Sequence, residues 1–545
     1  MNSLFQKILE SRGLDESFLC PKYEDLSAPE ELPDMEKLIR RLGKAKEHKE
    51  KVLIYGDYDV DGVTATAIVY NALKLAGITE LEMMLPDRFI DGYGMSRRLV
   101  EQAKKNDIQL VVTVDCGSNN AEIIDELSKA NIDVLVTDHH ELMSGVPKTA
   151  VAVVNPKRDD FRKKVEKDQN LSGLLNLSGA GVAFMLARAL VNAGMILDGQ
   201  EKWLLDLAMI GTICDSMKLT NDNRIICHFG MIVLEKTKRI GLKELMRVAG
   251  VSKINTDAVG FQIGPRLNAA GRMKTAEVAL KLLTTGSKAE AAKLAKELNE
   301  LNAERRRQQN QAIDDLEKDG IDDAPVIVAR GKWGEGVVGI IAGRLTERYK
   351  RPSFVLTETE EGLKGSGRSF GEFNLALACK ECQELLVAGG GHAEACGVKL
   401  ESNNYDAFKE KVNDYYRSLK LENQERFLEA KEDIATSALG ELNLELTDCF
   451  NKMEPFGEGN PAPVILLTNV LILNIDRIGD KKQHLRMLVR GDDEKTLKLV
   501  AFNAPKNWLG IDAGEKVDIW MSILENEWNG IRSVEGRILG LQLCF

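Results

Sequence analysis

Between residues 51 and 155 the chain alternates short β-rich apolar runs with stretches of helical period, and nothing else in it so narrows what it can fold into. The runs are 52–55, 81–85, 110–114, 134–136 and 151–154, and helical segments such as 63–76 and 121–130 separate them. This is the pattern of an α/β fold with a doubly wound parallel sheet. More helical sequence follows to about residue 249, including 181–193 and 203–213.

The end of each expected strand carries polar residues of one kind. Asp57, Asp59 and Asp61 follow the first, Asp87 and Arg88 the second, Asp115 the third, Asp138, His139 and His140 the fourth, and Asn155 the fifth. Parallel sheets bind ligands at the carboxyl ends of their strands, so these side chains converge on one crevice. Asp215, closing a later apolar helix, is a further candidate. Aspartates packed so closely repel one another unless cations are present, and Asp with His and no Cys suits manganese or magnesium. Two divalent ions sharing a bridging aspartate activate water and neutralise a phosphoryl transition state, so the cluster predicts metal-assisted phosphoester hydrolysis. An EF-hand would need Glu where Ile68 stands.

Glycines add a second theme. Gly62 is expected to open a helix at residue 63, whose amides would face an anion. A long helix is expected over 287–318, with Ser287 and Glu290 as its capping box and Gly320 past its end. Its run Arg305-Arg306-Arg307 reads as a solvated face. A second α/β unit begins at 324, with a strand over 326–329 and a helix over 337–349. In it Ser366 and Arg368 occupy a glycine-rich strand turn and His392 follows three glycines, places where backbone and guanidinium can approach a terminal phosphate. The segment from Pro265 to Arg272, with Asn268 between two arginines, reads as a turn between helices and a phosphate clamp. After a charged helical connector, strand-like alternation over 485–490, 497–502 and 517–524 points to a small β-barrel.

Composition bounds the rest. At 545 residues three or four domains are expected. Lys plus Arg total 73 against 84 Asp plus Glu, a net charge of −11 that excludes a broad basic coat for nucleic acid but not a narrow groove lined by Arg88, Arg266, Arg272 and Arg368. The nine cysteines are scattered, which suits a reducing cytoplasm, and Cys379-x-x-Cys382 reads as two turns of one helix face. No apolar run approaches the roughly 18 residues of a membrane span.

The motifs taken together carry a resemblance. Gly56-Asp57-Tyr58-Asp59-Val60-Asp61-Gly62, Asp91-Gly92-Tyr93-Gly94, Val114-Asp115-Cys116-Gly117, Thr137-Asp138-His139-His140, Pro265 to Arg272, Gly365 to Ser369, Gly390-Gly391-His392 and Pro455-Phe456-Gly457-Glu458-Gly459-Asn460-Pro461 stand in the order of the RecJ family, single-strand-specific DNA exonucleases of the DHH phosphoesterase superfamily. The resemblance implies an N-terminal arm (1–50), a DHH catalytic domain (51–285), a linker helix (286–322), a DHH-associated domain (323–425), a connector (426–462) and an OB-fold-like nucleic-acid-binding domain (463–545).

It further implies a 5′-to-3′ exonuclease of DNA recombination and repair that uses two Mn2+ or Mg2+ ions and releases nucleoside 5′-monophosphates. By position, Asp57 and Asp59 would hold one metal, Asp61, His139 and Asp215 the other, and Asp115 would bridge them. Asp138 would orient an imidazole, and His140 would lie beside the scissile phosphate. Arg88, Ser366 and Arg368 would receive the 5′ phosphate, and Asn268, Arg272 and His392 would contact backbone phosphates. The implied partners are single-stranded DNA, a helicase and a single-strand-binding protein, with no membrane, and the resemblance leans towards a monomer. Gly334 departs from the family's usual His before Gly-Val-Val-Gly. The competing readings are a DHH oligoribonuclease or cyclic-dinucleotide phosphodiesterase, which lacks the linker helix and barrel; a manganese pyrophosphatase, disfavoured by length and by the Pro455 to Pro461 boundary followed by a barrel; and a non-catalytic DNA-binding scaffold, which would have lost metal aspartates.

Overall fold

The apolar runs of the first half do pair as parallel strands. In the computed structural model β1 (Val52–Tyr55), β2 (Leu81–Met84), β3 (Leu110–Val114), β4 (Asp133–Thr137) and β5 (Ala152–Val154) form one sheet in the order β2-β1-β3-β4-β5. All neighbours are parallel, in registers such as Val52 with Leu81 and Val111 with Val134. β1 and β3 are buried throughout, as strands covered on both faces must be. Ile54, Val112 and Val154 face a core built with the Val60–Leu75, Gly179–Asn192 and Leu205–Cys214 helices, whereas Leu53, Val111 and Val153 pack with the Arg97–Lys105 and Ala121–Lys129 helices. The carboxyl ends of the strands therefore share one edge.

The description covers residues 2–421, 431–479, 482–528 and 531–544. Residues 422–430, which include the start of the expected connector, lie outside it. The chain divides into two compact units, Tyr23–Phe427 and Met1–Lys22 with Leu428–Phe545.

Within the first unit the Lys288–Asp319 helix starts at Ser287, whose side chain accepts from the Glu290 amide at 3.3 Å. It leads to a second sheet, β6 (Ile327–Gly331), β7 (Ser353–Thr359), β8 (Gly362–Arg368), β9 (Ala388–Gly391) and β10 (Ala395–Leu400), in the order β6-β7-β8-β10-β9. Only β6 and β7 are parallel; the rest is antiparallel. Phe354 and Phe408 meet edge to face in its core, with ring centroids 5.3 Å apart. Cys379 and Cys382 are buried in that same core.

Several local expectations need correction. The first long helix starts at Val60, not residue 63, because the Asp59 carboxylate accepts from the Gly62 amide at 3.0 Å and caps it there. Ser366 and Arg368 lie inside β8, not in a turn. Glycine is needed within that strand because a Cβ at Gly365 would meet the Val355 carbonyl oxygen at 2.4 Å. The segment from Pro265 to Arg272 belongs to the Gly264–Met273 helix, with Pro265 in its first turn and Leu267, Ala270 and Gly271 buried. Beyond residue 430 the expected connector contains a strand, β11 (Ile434–Thr436), as well as the Leu444–Asn451 helix.

The second unit is a closed barrel. β12 (Ile465–Ile478), β13 (His484–Arg490) and β14 (Thr496–Ala501) run antiparallel, β14 pairs in parallel with β16 (Ile531–Leu543), and β15 (Lys516–Trp528) joins β16 to β12. The first residues of the chain, expected in an N-terminal arm, complete its core. Leu4, Phe5 and Ile8 of the Ser3–Arg12 helix pack with Leu446, Phe450 and the barrel interior, and Arg12 grips Asp433 with two hydrogen bonds of 2.6 and 2.7 Å. Among the described residues no single helix is long and apolar enough to cross a membrane. Replacing Phe5 by Ala should cost about 3–5 kcal/mol, because it empties a fully buried aromatic site. Urea unfolding followed by tryptophan fluorescence would show the shifted midpoint, and an unchanged one would mean that the helix is not part of the barrel core.

Candidate metal centre and nucleic-acid interface

The sheet brings together the side chains at its carboxyl edge. Asp57 and Asp59 stand in the loop from β1, Asp61 in the first turn of the Val60–Leu75 helix, Asp115 after β3, and Asp138, His139 and His140 after β4. Asp215 is the C-cap of the Leu205–Cys214 helix, which packs beside the Val60–Leu75 helix. Gly62 permits this crowding, since a Cβ there would lie 2.6 Å from both the amide nitrogen and the carbonyl oxygen of Asp57.

Three overlapping donor groups result: Asp57, Asp59 and Asp115; Asp61, His139 and Asp215; and Asp115, His139 and His140. The first two contain the residues expected to hold the two metals; in the first, Asp57 and Asp115 are buried and Asp59 is half-buried. His139 Nε2 lies 3.1 Å from Asp115, 3.6 Å from Asp215 and 3.7 Å from Asp61. Asp57, Asp61 and Asp115 are 4%, 2% and 2% exposed, so their charges are almost wholly removed from water. Burial first, and then mutual repulsion, raises the carboxyls of Asp57, Asp61, Asp115 and Asp215 above the usual range.

Buried Oδ1 atoms of Asp57 and Asp115 receive no hydrogen bond. An orphaned carboxylate oxygen in such a place is costly unless a cation meets it. Burial also pushes the His139 imidazole down to about 3, with repulsion from His140 adding to the effect, and the neutral ring is the form that ligates metal. The residues fit a pair of divalent cations.

His140 is treated differently. Burial opposes its charge, but a 2.8 Å hydrogen bond from Nδ1 to Asp138, together with the surrounding aspartates, lifts it to about 9. Asp138 is held ionised against burial by that same bond and by amides of Ser118 (3.0 Å), His139 (2.7 Å) and His140 (3.1 Å). The same bond fixes the His140 ring. Asn155 fixes the turn, donating to Ser118 Oγ at 2.7 Å and the His140 carbonyl at 2.9 Å.

Two contributors lay beyond the sequence reading. The first amides of the Gly179–Asn192 helix, from Gly179 and Ala180, donate to the two oxygens of Asp61 at 2.6 and 2.9 Å, so a helix N-terminus stabilises a metal-site carboxylate. Ser178 as N-cap was the available signal, but nothing local says what that helix faces. Tyr93, noted only as part of a motif, places its hydroxyl 3.0 Å from His140 Nδ1.

The expected phosphate residues fall partly together. Arg88 lies over the Tyr58 ring, 5.1 Å from its centroid, and its charge acts on Asp57. Arg368 donates to Ser366 Oγ and the Gly367 carbonyl, each at 2.7 Å. Arg272 reaches the Gly336 carbonyl at 3.4 Å, and a Cβ at Gly336 would stand 1.9 Å from the Arg272 carbonyl oxygen, so the second α/β region closes directly on this helix. Burial, then repulsion from Arg88, Arg305 and Arg368, lowers Arg272 to about 10. Asn268 lies one turn before Arg272 on the same helix, half-buried. His392 is not drawn into this cluster: it is exposed at a hairpin, its amide donating to the Ala395 carbonyl. Gly334, where the family usually has His, sits before the Val338–Tyr349 helix with Gln308 Oε1 only 3.2 Å from where a Cβ would be.

Comparison with known proteins agrees with this architecture. The chain matches the DHH family, N-terminal domain, over residues 51–212, the DHHA1 domain over 323–418 and the RecJ OB domain over 435–539. It is 35% identical to the single-stranded-DNA-specific exonuclease RecJ of Bacillus subtilis, over 96% of this chain and 66% of that protein. With the protein of that name from Escherichia coli it shares 31% identity over 98% of this chain and 94% of the other. The crystal structure of RecJ in complex with Mn2+ from Thermus thermophilus superposes with a TM-score of 0.82 at 28% identity, covering 99% of this chain and 75% of that one. The Mg2+ complex from the same source gives 0.76 at 27%, covering 99% and 74%. A relative matched over nearly its whole length, three successive domain matches and a shared fold place this chain in the RecJ family.

Proposed function

We infer that this chain is a metal-dependent exonuclease that degrades single-stranded DNA from its 5′ end and releases nucleoside 5′-monophosphates. The observation that carries the reading is the buried cluster of Asp57, Asp61 and Asp115 at the sheet's carboxyl edge, with orphaned oxygens on Asp57 and Asp115 and arginines beside it. Asp57 and Asp59 would hold one cation, Asp61, His139 and Asp215 the other, with Asp115 between them. Bound there, Mn2+ or Mg2+ would supply an activated water and neutralise phosphoryl charge.

The chain's own residues do the remainder. His140, kept cationic by Asp138, faces the scissile phosphate and stabilises the charge that develops on it. Arg88, Ser366 and Arg368 take the 5′ phosphate, which gives polarity by measuring from the strand end. Asn268 and Arg272 hold the backbone behind it, and His392 at its exposed hairpin contacts strand further out. On this assignment 51–285 carries the chemistry and 323–425 the end clamp. The barrel supports binding without sequence preference, since bases stack on aromatic faces of any strand. Nine free cysteines support a reducing compartment, which we take to be the cytoplasm, and we place a monomer there working with a helicase and a single-strand-binding protein.

Labelled single and double strands, marked at either end and incubated with Mn2+, Mg2+ or EDTA, test the reading. Single strands should be degraded from the 5′ end only with metal, and Asp61→Ala should lower kcat about a thousandfold or more. Equal activity on duplex, or activity that survives the Asp61 change, rejects it. Metal occupancy has its own readout. Mn2+ at about 100 times its Kd should stabilise the protein by about 2.7 kcal/mol, seen as a rise in Tm. Asp115→Asn should abolish that rise and leave the metal-free protein at least as stable, because one buried like charge is gone. A full Mn2+ response in that variant would show that Asp115 is not a ligand.

A further inference from the structure

Two sets of half-buried arginines in this unit contrast. Arg41, Arg158 and Arg239 each hold a carboxylate, from Asp133 and Glu50, Asp34 and Asp160, and Asp206 respectively. Arg266, Arg272, Arg305 and Arg368 hold neutral acceptors and, among the described residues, no carboxylate. Arg305 Nε donates to Asn302 Oδ1 at 3.2 Å, and Arg266 donates to Asn299 Oδ1 at 2.9 Å and the Gln262 carbonyl at 2.7 Å. Amides and carbonyls orient a guanidinium but leave its charge whole. Burying such a charge without an anion is unfavourable, so a set of them kept together is built to meet one from outside.

The structure also divides the arginine run on the Lys288–Asp319 helix. Arg307 is exposed and paired with Glu304. Arg305 turns inward, half-buried, towards the Gly264–Met273 helix, which packs on this one; its charge acts on Arg272, and that of Arg306 acts on Arg266. Asn302, 4% exposed, and Asn299 stand one turn apart on the face that presents these two guanidinium groups. The solvated-face reading therefore holds for Arg307 and fails for Arg305.

We propose that Arg305, with Arg266 and Arg306, forms a further phosphate-binding position on the strand path, beyond the residues assigned above, and that Asn302 positions Arg305 for it. This rests on the single-strand reading and extends it: the linker helix is part of the substrate track and not only a spacer. The ligand is an internal backbone phosphate, because Arg88, Ser366 and Arg368 already serve the strand's end.

The test follows kcat/KM of the full chain with Mn2+ on 5′-phosphorylated oligothymidylate as salt is varied. Each phosphate contact contributes about 0.7 to the slope of log affinity against log salt for single strands. Arg305→Gln should raise KM about tenfold with kcat little changed and lower the slope by about 0.7. Arg305→Lys should keep the slope, and Arg307→Gln should leave both quantities unchanged. Asn302→Asp separates binding from structure: a carboxylate beside Arg305 would neutralise it and mimic Arg305→Gln, whereas a merely structural arginine would work as well with the new ion pair. A slope unaltered in Arg305→Gln, an equal loss in Arg307→Gln, or wild-type KM in Asn302→Asp overturns the assignment. A wild-type chain that leaves the oligonucleotide intact overturns the exonuclease reading itself.

Discussion

Repulsion between buried carboxylates is the constraint on which the rest of this structure depends. Asp57, Asp61 and Asp115 are nearly inaccessible and lie against Asp59, Asp215 and one another. A chain could not keep such a cluster charged without strong compensation. Part of that compensation is hydrogen bonding from the protein's own backbone: amides of Gly179 and Ala180 on Asp61, and three backbone amides on Asp138. The remainder is left to cations, and the orphaned oxygens on Asp57 and Asp115 mark where they belong. The surrounding scaffold, a rigid parallel sheet with fully buried central strands, holds the aspartates in place against their own repulsion.

The arginines pose the mirror problem a short distance away. Half-buried guanidinium groups that hold amides, carbonyls and a hydroxyl are as incomplete as carboxylates with an orphaned oxygen. In the proposed assignment one set is finished by cations and the other by an anion. A phosphodiester strand brought in with divalent metal satisfies both, so the overall charge of −11 is no obstacle to a polyanionic substrate.

Much of the site could be read in the sequence because the rule behind it is local. A parallel strand ends where its apolar run ends, and whatever follows stands at the sheet's edge. Asp57, Asp115 and His139 follow from that alone. Asp215 was legible as the cap of an apolar helix, although only packing brings that helix to the Val60–Leu75 helix. The readings that needed correction share a different cause. Glycine, proline and arginine were taken as turn or surface signals in the Pro265 to Arg272 segment, around Ser366 and at Arg305. In each case close approach of another element decides the conformation: Gly271 is pressed against the Tyr58 carbonyl, and Gly365 against that of Val355.

The sequence by itself determined the α/β class, the order of the elements and the identity of the acids in the carboxylate cluster, because hydrophobic period and strand-end position are properties of neighbouring residues. Tertiary structure alone decided which helix points its amides at Asp61, that the Ser3–Arg12 helix completes the barrel core, and which arginine of three faces inward. Those outcomes depend on contacts between residues far apart in the chain, where a side chain's partner is fixed by packing and charge, and no local pattern records them.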